Sequence, residues 1–279
     1  MKVRYHVMKC SVLMSVYKND DPDFLKVALE SIYDKQTRKP DEIVVVFDGI
    51  LNDKLYSILN EFRKGKESIV FYYPQEVNRG LGEALKIGTE KCTGDYIFRM
   101  DSDDISDAQR FEKQYLFMEM HPDIDVVGTN IAEFNTSLDD SMRMRVCPEK
   151  HDDIVKMGKR RNPMNHVSVC MRKVALEKCG GYETLLLLED YYLWLKMIAS
   201  GCKLGNINEP LVYVRVGNGF DSKRGSKIRI KGWKVLQQFM LSNDMINVFE
   251  ARVNMLYIRL FVIIPPSLKR VLYDIVLRK

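Results

Sequence analysis

The sequence predicts an α/β protein: a mostly parallel central sheet with helices on both faces, followed by a C-terminal helical extension. Three features predict it. Short β-rich runs alternate with helical patterns through the first half of the chain. The run Glu42–Phe47 (EIVVVF) is apolar almost throughout, as in a parallel strand buried on both faces. After the polar, glycine-containing stretch Gly217–Ser226, the helical pattern continues to the last residue.

The elements follow in order. Cys10–Val16 (CSVLMSV) reads as the first strand. A helix starts at Asp21-Pro22, where proline suits the first helical position, and sets Phe24, Ala28, Leu29 and Ile32 on one face. Glu42–Phe47, Ser68–Tyr72 and Asp95–Met100 read as further strands, separated by helices over Asn52–Arg63 and Leu81–Lys91. The second half is less regular. Helices are predicted at Asp107–Met120, His151–Gly158, Lys173–Lys178 and Glu189–Ser200, with strands near Val126–Thr129, Val167–Met171 and Pro210–Val216. Sheets of this kind bind ligands beyond the C-terminal ends of their strands, so those ends are where chemistry is expected.

The chain's 279 residues, 46% hydrophobic and 29% charged, suffice for a full core and argue against long disorder. The net charge is +5, but residues 223–279 carry +9 and the rest −4. A basic tail on a slightly acidic body points to an anionic surface as partner. Six dispersed cysteines match neither a zinc site nor a disulfide framework and read as buried free thiols in a reducing compartment. Polar residues interrupt every early apolar run, so no signal peptide is expected and residence in the cytoplasm follows.

The strongest motif is Met100-Asp101-Ser102-Asp103-Asp104, directly after an apolar strand. Carboxylates so crowded repel one another unless a cation lies among them, and hard ions such as Mg²⁺ or Mn²⁺ bind carboxylate and phosphate oxygens together. The alternative is an Asp-rich turn before the next helix. Asp48 ends another strand and can accept a hydrogen bond from a nucleobase, or simply form a turn with Gly49. Arg79, in Asn78-Arg79-Gly80-Leu81-Gly82, either approaches a diphosphate or is a solvated charge. Glu189-Asp190 follow Gly180-Gly181-Tyr182 and open an aromatic helix. They either serve its N-terminal dipole or supply a general base.

In this order the motifs resemble the family-2 glycosyltransferases, inverting enzymes with the fold called GT-A. The matching pieces run from Ser11-Val12-Leu13-Met14-Ser15-Val16-Tyr17 through Asp48-Gly49, Asn78-Arg79-Gly80 and Asp101-Ser102-Asp103-Asp104 to Glu189-Asp190. Asn162-Pro163-Met164-Asn165-His166 and Tyr213-Val214-Arg215-Val216-Gly217-Asn218-Gly219 resemble the branch that builds bacterial surface polysaccharides. The resemblance implies a GT-A domain over residues 1–222, with a nucleotide-binding half (1–105) and an acceptor half (106–222), and a basic amphipathic helical tail at 223–279. It implies a nucleotide-sugar donor, usually a UDP-sugar, and a glycan or lipid-linked glycan acceptor. Asp48 would bind the base, Ser15, Val16 and Tyr17 would pack around the nucleoside, and Arg79 would lie at the diphosphate. Asp101 and Ser102 would lie near the ribose, and Asp103 and Asp104 would hold Mn²⁺ or Mg²⁺. Asp190 would be the catalytic base and Glu189 would place the acceptor. His166 and Trp194 are candidates for a sugar contact, Lys223 and Arg224 for a loop over the diphosphate. Two departures stand out: Phe47 replaces the first of two acids usual before Gly49, and Gly217-Asn218-Gly219 stands where many members carry a metal-binding histidine.

In the tail, apolar residues alternate with basic ones, and the longest apolar run is far shorter than the roughly 20 residues that span a bilayer. A helix lying in the interface of the cytoplasmic membrane, on its inner face, is expected, rather than a helical pair packed on the body. A sugar-phosphate nucleotidyltransferase is a rival reading, but Tyr17-Lys18-Asn19-Asp20 supplies no glycine-rich phosphate loop. A non-catalytic membrane-docking scaffold is another. No nucleic-acid partner is expected, because the tail is too apolar.

Overall fold

The computed structural model describes residues 7–138, 142–185, 187–216 and 227–264. Strands β1 (Cys10–Val16), β2 (Glu42–Phe47), β3 (Val70–Pro74) and β4 (Tyr96–Met100) pair in parallel in the order β3-β2-β1-β4. Helices α1 (Pro22–Ile32), α2 (Asp53–Arg63) and α3 (Leu81–Lys91) connect them. Alternation along each strand divides the core into two layers. Val12, Met14 and Val45 pack with α1 and α2, while Leu13, Val44 and Val46 pack with α3. Gly88 makes the second layer possible, since a Cβ there would lie 2.2 Å from Leu13 Cδ1.

The chain continues through β5 (Ile105–Ser106), α4 (Arg110–Met120), β6 (Val126–Phe134), β7 (Arg143–Arg145), α5 (His151–Gly158), β8 (Cys170–Arg172), α6 (Lys173–Lys178), α7 (Glu189–Ala199) and β9 (Leu204–Arg215). These strands extend the sheet as β4-β8-β6-β9-β5, with β7 on the edge of β6. β8 runs antiparallel to both β4 and β6, whereas β6 and β9 are parallel. One half of the sheet is therefore wholly parallel and the other mixed.

Several expectations need correction. Val167–Met171 is not one strand: His166–Ser168 form a 3₁₀ turn before β8, because Ser168 bonds back to Asn165 O through both its N–H and its hydroxyl. The helix expected from Asp107 starts at Arg110, since Ile105-Ser106 pair with β9. The strand expected from Ser68 begins at Val70, because Ile69 and Val70 donate to Lys66 O in a turn. Leu25 rather than Phe24 completes the buried face of α1. Phe24 instead lies under the Arg215 guanidinium, 3.7 Å from its ring centroid. The six cysteines are buried and free, as expected.

After β9 the described residues form two further helices, α8 (Lys227–Ser242) and α9 (Val248–Ile263). They do not stand apart from the body. Leu236, Met240, Ile246 and Ala251 form a third apolar cluster with Leu188, Tyr191 and Leu195 of the α7 region. Asn247 and Glu250 cap α9 reciprocally. Among the described residues no helix is long and apolar enough to cross a membrane.

Candidate functional site

The strand-end acids come together as the topology requires. β1 and β4 are neighbours in the sheet, so the turn after β1 and the acidic turn after β4 share one edge. Carboxylate oxygens of Asp101, Asp103 and Asp104 lie within 4.8 Å of one another. Asp20, which sequence reasoning missed, joins them from the turn after β1: its carboxylate accepts from Ser102 Oγ at 2.7 Å and Tyr17 N at 3.1 Å. Its position four residues past the end of β1, in the same strand-end region as the other acids, is the signal that would have found it.

Such crowding has an electrostatic cost. Loss of water, followed by the charges of Asp101 and Asp20, pushes the Asp103 carboxyl up to about 6. Burial also raises Asp20 to about 6, and raises Asp104 well above the ordinary carboxylate range, where Asp101 and Asp103 add to it. Asp104 keeps one compensating donor, the backbone N–H of Arg215 at 2.9 Å. Converging hard oxygen donors that burial and mutual repulsion push toward protonation fit a divalent cation such as Mn²⁺ or Mg²⁺.

One cation is built in. Arg99, on β4, is buried, and its guanidinium is ion-paired with Asp101. A charged residue inside the apolar run Tyr96–Met100 is a visible anomaly that the sequence reading passed over. Its neighbours link the acids to α7. The Tyr182 hydroxyl feels the charges of Arg99, Asp190 and Asp101, and it hydrogen-bonds His166 Nε2 at 2.8 Å. Burial, then the positive charge of Arg99, holds the His166 pKa well below its usual value, so the ring is neutral. The Tyr182–His166 pair packs against α7 through Trp194.

At that start, Asp190 is half-buried, accepts from Asn162 Nδ2 at 2.5 Å, and receives its neighbour's N–H, from Tyr191, at 2.7 Å. Glu189 is buried against α3, where Gly82 leaves room for its side chain. Burial raises its pKa. Lys196, one turn or more further along α7, holds the preceding loop through Gly181 O and Glu183 Oε1.

Asp48 is 6% exposed and its carboxylate is engaged: Oδ1 accepts from Arg79 N at 2.7 Å, and Oδ2 from Gly80 N at 3.0 Å. It thereby caps α3 from another strand. Gly49 is required beside it, having φ +90° and no room for a Cβ against Asn78 N. Arg79 is exposed and lines a cavity of about 210 Å³ with Pro74, Gln75, Glu76 and Val77. Ser15 is half-buried and Tyr17 exposed, both open to a ligand.

Two candidates do not reach solvent. Val16 is fully buried, because strand alternation turns it into the layer beneath α1; only its backbone oxygen, which accepts from Asp48 N, serves the site. Trp194 is likewise sealed in the core and meets His166 edge-on at 5.9 Å, so it backs the site without facing a sugar. Lys223 and Arg224 lie outside the described residues.

Comparison with known proteins gives the family and the fold. Residues 11–180 match the family described as Glycosyl transferase family 2. The UDP-Gal:alpha-D-GlcNAc-diphosphoundecaprenol beta-1,3-galactosyltransferase of Escherichia coli is 35% identical over 97% of both chains. The amylovoran biosynthesis glycosyltransferase AmsE of Erwinia amylovora is 35% identical over 81% of each. Among solved structures, S. aureus TarS 1-349 in complex with UDP-GlcNAc superposes with a TM-score of 0.67 at 17% identity, covering 96% of this chain and 75% of that one. The mannosyltransferase PcManGT from Pyrobaculum calidifontis, in complex with GDP-Man and Mn²⁺, gives 0.61 at 14% identity, covering 95% and 72%. The fold they share with this chain is GT-A.

Proposed function

The chain belongs to glycosyl transferase family 2, and from that we propose that it moves a sugar from a UDP-sugar, with inversion, onto a hydroxyl of a lipid-linked glycan in surface polysaccharide biosynthesis. The observation that carries this reading is the convergence of Asp101, Asp103 and Asp104 at the strand ends, with the buried Arg99 paired to Asp101. The E. coli relative's substrates suggest the donor and acceptor classes.

Each residue has a task that its surroundings favour. Asp103 and Asp104, with Asp101 beside them, would hold Mn²⁺ or Mg²⁺, which supplies charge neutralisation for the departing diphosphate. Asp48 fixes the start of α3 and keeps unused lone pairs for a nucleobase, while Ser15 and Tyr17 flank the nucleoside. Exposed Arg79 borders the same region.

Asp190, oriented by Asn162, takes the proton from the acceptor hydroxyl as its oxygen bonds to C1 and the C1–O bond to the diphosphate breaks. One displacement inverts the anomeric centre. Glu189, raised toward the protonated form, positions the acceptor by hydrogen bonding. His166 is neutral and half-buried, suited to a hydrogen bond with a sugar hydroxyl. The protein works at the inner face of the cell membrane.

A panel of nucleotide sugars, tested with Mn²⁺ for protection against thermal unfolding, examines the donor assignment. Protection by UDP-sugars but not by GDP- or TDP-sugars is expected. Equal protection by all, or by none, would remove the UDP assignment.

A further inference from the structure

Helix α9 has two apolar faces, and the described residues bury only one. Ala251 and Ile258 are buried on the inner face, together with Asn254, which donates to Lys159 O and Gln237 Oε1. At about 100° per residue, Phe249, Val253, Leu256, Tyr257 and Leu260 gather on the opposite side. That side faces outward: Phe249 is 74% exposed, Tyr257 70%, Leu256 58% and Leu260 51%. Arg252 and Arg259 lie exposed along one edge. A solvated helix face ordinarily carries polar side chains, and a contiguous apolar one marks a contact.

We propose that the outer face of α9 lies in the headgroup region of an anionic lipid bilayer and thereby sets the orientation of the catalytic body on the membrane. Charge selects this occupant. Residues 223–279 carry +9, and the apolar stripe is edged by arginines, the arrangement of helices lying in an anionic interface. A second copy of the chain docking here would bring two such basic segments together, at an electrostatic cost.

The connection to the site is direct. Ala251 of α9, Leu236 and Met240 of α8, and Tyr191 and Leu195 of α7 form one apolar cluster, and α7 begins with Glu189-Asp190. Fixing α9 at the lipid surface therefore fixes the height and tilt of Asp190 above it. A lipid-tethered hydroxyl then meets the base from a constant direction. This deepens the membrane part of the proposed function and is independent of the transfer chemistry, since binding needs neither donor nor acceptor.

The test is co-sedimentation of the full chain with vesicles of phosphatidylcholine, alone or with about one-third phosphatidylglycerol. Binding to the anionic vesicles only is expected. Leu256→Glu with Leu260→Glu should lower that binding about tenfold or more, and Arg252→Glu with Arg259→Glu should do likewise. Both variants should keep the wild-type thermal midpoint, because the substituted side chains are exposed. Unchanged vesicle binding by the Leu256/Leu260 variant overturns the proposal. So does a wild-type dimer that the same substitutions split, or binding that appears only once residues 265–279 are deleted. The last two results would give the face to a second copy or to the chain's own terminal segment.

Discussion

Arg99, sealed within the sheet, clasps the carboxylate of Asp101 at the rim of the acidic turn. A buried guanidinium has no solvent to screen it, so this ion pair sets a positive charge beside the turn where burial pushes Asp103 and Asp104 toward protonation. Arg99→Met should lower stability by about 1–3 kcal/mol, in the lower part of the range for a half-exposed partner, and weaken Mn²⁺ dependence of donor binding. Arg99→Lys should restore part of both. Thermal unfolding and Mn²⁺ titration of UDP binding check this; wild-type metal affinity in Arg99→Met would refute it.

Asp190→Asn should cut turnover by roughly 10²–10⁴-fold while leaving UDP affinity within a factor of about two. Asn162→Ala, which removes the donor that orients the carboxylate, should lower kcat by a smaller factor. Steady-state kinetics beside calorimetric UDP binding separate the two effects. Near-normal turnover in Asp190→Asn would take the base role away from this residue.

Metal and pH should be linked through Asp20, Asp103 and Asp104. Their folded-state pKa values are raised, so the folded protein holds these protons more tightly than the unfolded chain does. The corresponding stability is present below the unfolded carboxylate range near about 4 and is lost as pH rises through the raised folded values, about 6 for Asp20 and Asp103. Without metal, the cluster therefore destabilises the protein at neutral pH. Added Mn²⁺ should raise the thermal midpoint more at neutral pH than in the acid range, where protons compete for the same oxygens. Asp103→Ala should abolish most of that difference. Equal Mn²⁺ stabilisation across this range would exclude the cluster as the metal site.

Asp48→Ala leaves the amides of Arg79 and Gly80 without their acceptor. A loss of about 1–2 kcal/mol in stability is expected, the magnitude of a helix cap, together with weaker UDP binding. Asp48→Asn should recover part of the stability, because its amide oxygen can still accept. Denaturant unfolding and nucleotide titration test the pair.

The strand-end acids were legible because an Asp directly after an apolar run has few structural uses, and parallel topology brings such ends together. The network between Arg99, Tyr182 and His166 was not, since it joins residues far apart in sequence. Adjacency misled at two positions. Val16 is next to Ser15 and Tyr17, yet alternation turns it inward; Trp194 follows Asp190 by one helical turn, which takes it down into the core. The full lengths of β6 and β9 were hidden by polar residues and Pro210, which their pairing accommodates through register shifts around Asn130.

The wall of α7 that α8 and α9 cover has a practical outcome for attempts to make a smaller enzyme. The family match ends at residue 180, before α7 begins, so a protein cut to the matched segment would lack Asp190 altogether. Ending it at Arg215 would keep Asp190 but lay bare Leu188, Tyr191 and Leu195, an oily strip on the helix that carries it. Such a fragment should aggregate on expression, and α8 with α9 belongs to the smallest soluble unit.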